Sequence, residues 1–226
     1  YIFVLVRTSP EKPKHEGISL MLVDMRQPGV TVSPIQLISG ASPFCETHFS
    51  DAVVPLEDVI GGIDRGWTVG KRLLQFERST HAGINISGSQ GGRSEKSQMP
   101  ALVARYVSSQ SGQLTDPALR RWLTEFEMNS HAQRITQRRA IEELSSRAPG
   151  FTSSAVKLTN ALNIQDGDEL LVAAMGSQGL RWDPETADAD ELAALQKWLY
   201  QKSLTIAGGT KEVQLNIIAK RVLGLP

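Results

Sequence analysis

Two short stretches of this 226-residue chain combine residue types that could act on a small polar substrate. The first is Glu77-Arg78, a carboxylate followed by a guanidinium, in a run where Trp67, Gly70, Leu73, Leu74 and Glu77 recur at three- and four-residue spacing. A glutamate near such an apolar stripe would have reduced solvation, and a basicity suited to taking a proton from carbon, once a ligand binds beside it. From periodicity alone, however, the ordinary reading of Glu77 is a structural acid. The second stretch is Gly208-Gly209-Thr210. Its glycines allow backbone conformations that other residues avoid, and Thr210 is a good N-cap for a helix with Val213, Ile217, Ile218 and Leu225 in reach of one side. Unpaired amides at a helix start attract anions, although Gly-Gly-Thr serves equally as a plain turn and cap.

Other chemistries have little support. No Walker loop, G-x-G-x-x-G fingerprint, H-E-x-x-H pair or Ser/His/Asp signature is present, and His15, His48, His81 and His131 lack metal-ligand spacing. The single cysteine, Cys45, excludes an internal disulfide framework and fits a reducing compartment. Net charge is zero with a pI near 7.1, so no global basic field draws nucleic acid. No apolar run approaches the roughly 20 residues of a membrane span. The opening Tyr1-Ile2-Phe3-Val4-Leu5-Val6 reads as a buried strand rather than a leader, and a chain starting mid-element is expected to be the C-terminal part of a longer polypeptide.

The elements that must position these residues change character along the chain. Short strand-like runs at Tyr1 to Arg7, Ile18 to Asp24, Val30 to Ile35 and Cys45 to Asp51, separated by Pro- and Gly-containing turns, predict an antiparallel sheet. From Gly66 onward the period becomes helical, with Gly88 to Arg93 a break or loop in the first helical region. Thr115-Asp116-Pro117 predicts a helix start, followed by an apolar face of Leu119, Trp122, Leu123 and Phe126 running toward Leu144. Its charges, among them Arg120, Arg121, Glu125, Arg134, Arg138 and Arg139, read as a solvated or interhelical face. A third helix runs from Ser154 toward Leu171 and is ended by Gly176 and Gly179; Asp190 is placed as the cap of a fourth, and Thr210 opens the last. Long helices with short joins predict a bundle.

The string from Thr205 to Pro226 closely resembles the C-terminus of acyl-CoA dehydrogenases, flavoenzymes that insert an α,β double bond into acyl-CoA thioesters. Ser42-Pro43-Phe44-Cys45-Glu46-Thr47-His48-Phe49-Ser50-Asp51-Ala52-Val53-Val54-Pro55, then Asp58-Val59-Ile60-Gly61 and Gly66-Trp67, resemble in order and spacing the end of that family's middle β-domain and the start of its C-terminal helices. The resemblance implies a multidomain fold of α and β elements: a partial antiparallel β-domain over 1–60, then an up-and-down four-helix bundle over 66–226, with the family's N-terminal helical domain absent.

It also implies roles. In one branch of the family the base is a glutamate beside the terminal glycine-threonine motif, where this chain has Gly208, which cannot be a base. In another it lies on the first long bundle helix directly before an arginine, and Leu74-Gln75-Phe76-Glu77-Arg78 matches that arrangement. Glu77 is then the expected base, Arg78 orients base or ligand, and the Gly208 amide donates to the thioester carbonyl. Thr210 and Glu212 match positions that contact FAD, while Ala173 through Ser177, including Gly176, align with the segment by which a neighbouring subunit holds the adenosine part of the cofactor. The family's glutamate-arginine-x-x-phenylalanine segment has no match around Gly92-Arg93-Ser94. The implied partners are an acyl-CoA substrate and an electron-transfer flavoprotein, in a homotetramer or homodimer, with no nucleic acid and no membrane span. The expected compartment is the bacterial cytoplasm or the mitochondrial matrix. Residues 1–226 alone are expected to be inactive and to hold FAD weakly. Two further readings keep the fold: a non-catalytic subunit of a heteromeric complex, and a flavin monooxygenase or oxidase.

Overall fold

A computed structural model of the chain describes residues 1–81, 97–107, 113–145 and 152–226. It divides into two compact units, Tyr1–Glu77 and Arg78–Pro226. The expected break at Gly88 to Arg93 lies outside the described residues.

The first unit is antiparallel. Strands β1 (Ile2–Arg7), β2 (Ile18–Val23) and β5 (Val59–Ile60) form one sheet in the order β1-β2-β5, and β3 (Val30–Ile35) pairs with β4 (Phe44–Phe49) in another. Ile2 faces Val23 and Arg7 faces Ile18 across β1 and β2, and the apolar β2 residues Leu20 and Val23 are buried. The expected second and fourth strands were drawn too long. Asp24 leaves β2 because its carboxylate turns back to accept from the Arg26 amide, and Asp51, at φ +54°, sits in the left-handed region that a strand cannot continue through.

Helix α1 (Gly66–His81) begins directly over β2: a Cβ on Gly66 would stand 2.2 Å from backbone atoms of Ser19 and Leu20, an approach only glycine permits. The turn before it is held by Asp64, at φ +64°, whose carboxylate accepts from Thr8 Oγ1, Ser9 Oγ and Lys12 Nζ at 2.7, 2.8 and 2.6 Å, while its amide donates to the buried Ser19 hydroxyl. The Lys12 ammonium, then the two hydroxyls, hold the Asp64 carboxyl at about 2 against its ordinary 3.8. A depressed carboxylate stabilises the fold fully above its unfolded pKa, so this contribution is lost as pH falls from about 3.8 through about 2. Asp64→Asn is therefore expected to lower stability at neutral pH and to flatten the acid limb of a denaturation series; the limb that remains belongs in part to Asp24, held at about 2 by Arg26.

The second unit is helical: α2 (Met99–Val107), α3 (Pro117–Ser145), α4 (Thr152–Met175), α5 (Ala189–Gln201) and α6 (Lys211–Ile217), the last continued by a π turn over Ile218–Val222. α3 starts as expected, with Asp116 Oδ1 accepting from the Ala118 amide at 2.8 Å ahead of Pro117. Its apolar face is also as expected. Leu123 and Phe126 are buried with Val103, Leu170 and Ala174, and Leu119 and Trp122 pack against that cluster. α4 is the central helix, packed on α2, α3 and α5. Gly167 allows the α3–α4 approach, since a Cβ there would come within 2.6 Å of the Phe126 ring. Bonds from Trp122 to Asp166, from Asn163 to Ser130 and from Gln133 to the Val156 carbonyl pair the two helices in antiparallel register. Arg121–Glu125 and Arg139–Glu143 are exposed i,i+4 pairs, which agrees with a solvated charged face.

Two expectations need correction. The cap of α5 is Asp188, whose side chain accepts from the Asp190 and Glu191 amides, and Asp190 lies inside the first turn. In α6 the fully buried residue is Gln214, whereas Val213 is 46% and Leu225 52% exposed. Ile217 and Ile218 are half-buried, so part of the expected apolar side is covered, and the buried Gln214 amide anchors the short helix by its hydrogen bond. No helix among the described residues is long and apolar enough to cross a membrane.

Candidate functional site

Glu77 lies in the first unit and the other described candidates in the second. Glu77 occupies the last described turns of α1 and is half-buried. The stripe it belongs to is split. Gly70 is buried against the Leu5 side chain and Trp67 stacks on His15 with ring centroids 4.3 Å apart, whereas Leu73 and Leu74 are 36% and 44% exposed. A carboxylate beside an uncovered apolar surface is desolvated only when something else covers that surface. Arg78 is the next residue of α1; its side chain lies outside the described residues.

Gly208, Thr210 and Glu212 are brought together on one turn. After the 3₁₀ segment Lys202–Thr205, the amides of Ile206 and Ala207 both donate to the Ser203 carbonyl at 2.9 Å. Gly208 and Gly209 then take φ of +67° and +101°, values that a side chain would strain. Thr210 returns to extended backbone and caps α6, its hydroxyl oxygen accepting from the Val213 amide. Gln214 Nε2 donates to the Gly208 carbonyl at 2.9 Å, which turns that carbonyl inward. No acceptor among the described residues takes the Gly208 amide hydrogen. A fixed, unused N–H on a half-buried turn can polarise a carbonyl oxygen presented to it.

Glu212 is exposed, and its own backbone amide and then the Thr210 hydroxyl hold its carboxyl below the ordinary value. A carboxylate and a hydroxyl suit the ring, ribityl or ribose donors of a flavin cofactor, and the negative charge disfavours its diphosphate. Ala173, Gly176 and Ser177 stand at the far end of α4. All three are exposed, and Gly176 terminates the helix at φ +58° with open space where a Cβ would be. The open glycine and the Ser177 hydroxyl fit a ligand approaching the backbone closely. This end of α4 lies about 24 Å along the helix from Lys157, which touches the Gly208 turn, so one copy of the chain does not bring the two sets together.

Lys157 carried no site signal in the sequence beyond its place in the third helical run. It is 2% exposed, and its ammonium donates to the carbonyls of Gly209 and Leu204 at 2.5 and 3.2 Å. Only a residue pairing across 47 and 52 positions could have revealed it. No group of three or more His, Cys, Asp or Glu among the described residues could hold a metal ion.

The family model for the acyl-CoA dehydrogenase C-terminal domain matches residues 64–223. The acyl-CoA dehydrogenase IpdE1 of Mycobacterium tuberculosis is 34% identical over the whole chain, which covers 55% of that protein, and the acyl-CoA dehydrogenase FadE34 of the same organism is 31% identical over 98% of the chain and 28% of its own length. Among solved structures, the Tcur3481-Tcur3483 steroid ACAD superposes with a TM-score of 0.81 at 27% identity, over 99% of this chain and 56% of that one. The ChsE4-ChsE5 complex from Mycobacterium tuberculosis, at 22% identity and a TM-score of 0.75 over 100% and 57% of the two chains, shares the fold. The chain thus spans about half the length of the IpdE1 protein and of these solved chains.

Proposed function

This chain belongs to the acyl-CoA dehydrogenase family, and we propose from that premise that the whole protein is a flavin-dependent dehydrogenase that converts an acyl-CoA thioester to its 2-enoyl-CoA. The observation that carries the proposal is the Gly208 turn, whose carbonyls are tied inward and whose amide is left to donate. Such a donor serves a reaction in which charge develops on a thioester oxygen, and α-proton removal is that reaction. In this reading Glu77 takes the α-proton onto its carboxylate, Arg78 orients the base or the ligand, and the Gly208 N–H holds the enolate-like oxygen. FAD, when bound, supplies the acceptor for the β-hydride. Thr210 and Glu212 meet the cofactor from this chain, while Ala173, Gly176 and Ser177 meet the adenosine part belonging to a neighbouring copy in a homodimer or homotetramer. An electron-transfer flavoprotein takes the electrons onward. We retain 1–60 as the end of a β-domain and 66–226 as the bundle.

The test uses the full-length protein. It should purify yellow, and its visible flavin band should bleach when mixed anaerobically with a panel of straight-chain and steroid-derived acyl-CoA thioesters; the steroid acids are included because the solved steroid ACAD is similar to this chain. A colourless protein, or a yellow one bleached by no thioester, removes the reading. A second reading, in which this chain is one partner of a heteromeric complex, is favoured by the likeness to a structure described as the ChsE4-ChsE5 complex. Native mass measurement after co-expression with candidate partner chains separates it from a homo-oligomer.

A further inference from the structure

We propose that Lys157 is a positioning residue that holds the Gly208 amide in its donating orientation; this rests on the reading of Gly208 as the thioester-carbonyl donor. The ammonium is buried and, among the described residues, bonds to backbone carbonyls rather than to a carboxylate. Burial pushes the amine below its ordinary value, with no opposing charge among the described residues to restore it. A cation in such a place is costly, and a methionine would fill the same volume without that cost. What the lysine supplies is two donors on one atom.

Those donors close the turn at both ends. Lys157 ties the Leu204 carbonyl before the turn to the Gly209 carbonyl after it, and Gln214, from the following helix, takes the carbonyl of Gly208 between them. The Gly208 N–H belongs to the peptide unit joining Ala207 to Gly208. That unit is flanked by the Ala207 amide, bonded to Ser203, and by the Gly208 carbonyl, bonded to Gln214. A glycine pair at positive φ is otherwise free to rotate such a unit over, and a flipped unit would present a carbonyl to the substrate instead of a donor. Lys157 prevents the flip from a central helix of the bundle, so the donor's aim is set by α4 and not by the loop itself.

The experiment compares full-length, FAD-loaded wild type with Lys157→Met, and uses Lys157→Gln, which keeps a shorter donor, should the methionine variant fail to fold. Hydrogen–deuterium exchange of amides 206–210 is the readout independent of activity. It is expected to rise about tenfold in Lys157→Met, with α3 exchange unchanged and Lys157→Gln intermediate. The second readout is the absorption of bound 4-(dimethylamino)cinnamoyl-CoA, a push–pull chromophore that shifts to the red as its carbonyl takes up hydrogen bonds. That shift is expected to shrink in the variant while affinity changes only a few-fold, a split that general loosening would not produce. Unchanged exchange in the turn, or a full red shift in Lys157→Met, overturns the proposal. Absence of any red shift in wild type, with flavin reduction unaffected by Glu77→Gln, instead removes the reading of Gly208 and Glu77, and exchange still decides whether Lys157 holds the turn.

Discussion

Glu77→Gln in the full-length protein is expected to slow reduction of the bound flavin by an acyl-CoA thioester by about 10²–10⁴-fold while FAD stays bound. The amide matches the carboxylate in size and keeps its place on α1, where residue 77 is half-buried, so the fold should survive. What it loses is basicity, and the step expected to feel the loss is α-proton removal. Stopped-flow bleaching with α-deuterated substrate checks this: the variant should show a slow, isotope-sensitive phase and an unchanged flavin content. Near-normal bleaching would make Glu77 structural and move the base elsewhere. Adding Gly208→Glu to this background places a carboxylate where the other branch of the family carries its base. Because Gly208 sits at φ +67°, the new side chain is strained there by about 1–3 kcal/mol, and partial rescue is the most that geometry allows.

Gly209→Ala is expected to lower the same rate by about 10²–10³-fold, the loss that follows removal of one oxyanion donor elsewhere. Alanine is strained at φ +101°, and its methyl carbon would stand 2.7 Å from Gln214 Nε2, displacing the bond that turns the Gly208 carbonyl inward. The turn relieves both problems by rotating, which also carries away the carbonyl that Lys157 holds. Helix α4 and its core contacts with Phe126 do not depend on that rotation. The expected result is therefore a folded, flavin-loaded protein with slow bleaching and weak polarisation of a bound carbonyl chromophore. An alanine variant with wild-type kinetics would show that the Gly208 amide does no work on the substrate.

These two variants draw on different kinds of knowledge. Glu77 entered as a candidate because a glutamate-arginine pair in a recognisable run can be matched residue by residue. The glycine pair was legible as a turn, since two adjacent glycines before a threonine require one. The direction in which the turn's carbonyls point was not, because it is set by Gln214, a residue with no site signal in the sequence that is fully buried against that turn. The apolar stripe beside Glu77 was legible in its spacing and misleading in its burial: Gly70 faces Leu5, and Leu73 and Leu74 remain uncovered.

The sequence by itself determined the local decisions. Asp116 before Pro117 starts α3, Thr210 starts α6, and Leu119, Trp122, Leu123 and Phe126 fall on one buried side, because a cap and a 3.6-residue period act within a turn or two of the residues that encode them. Tertiary structure alone decided the left-handed Asp64 tied to Thr8, Ser9 and Lys12, and the burial of Lys157 under the Gly208 turn. Both join residues 47 to 56 positions apart. A lysine on a helix has no local preference that selects a distant carbonyl; its partner is set by how the helices pack, and only then does its buried ammonium have nowhere else to donate.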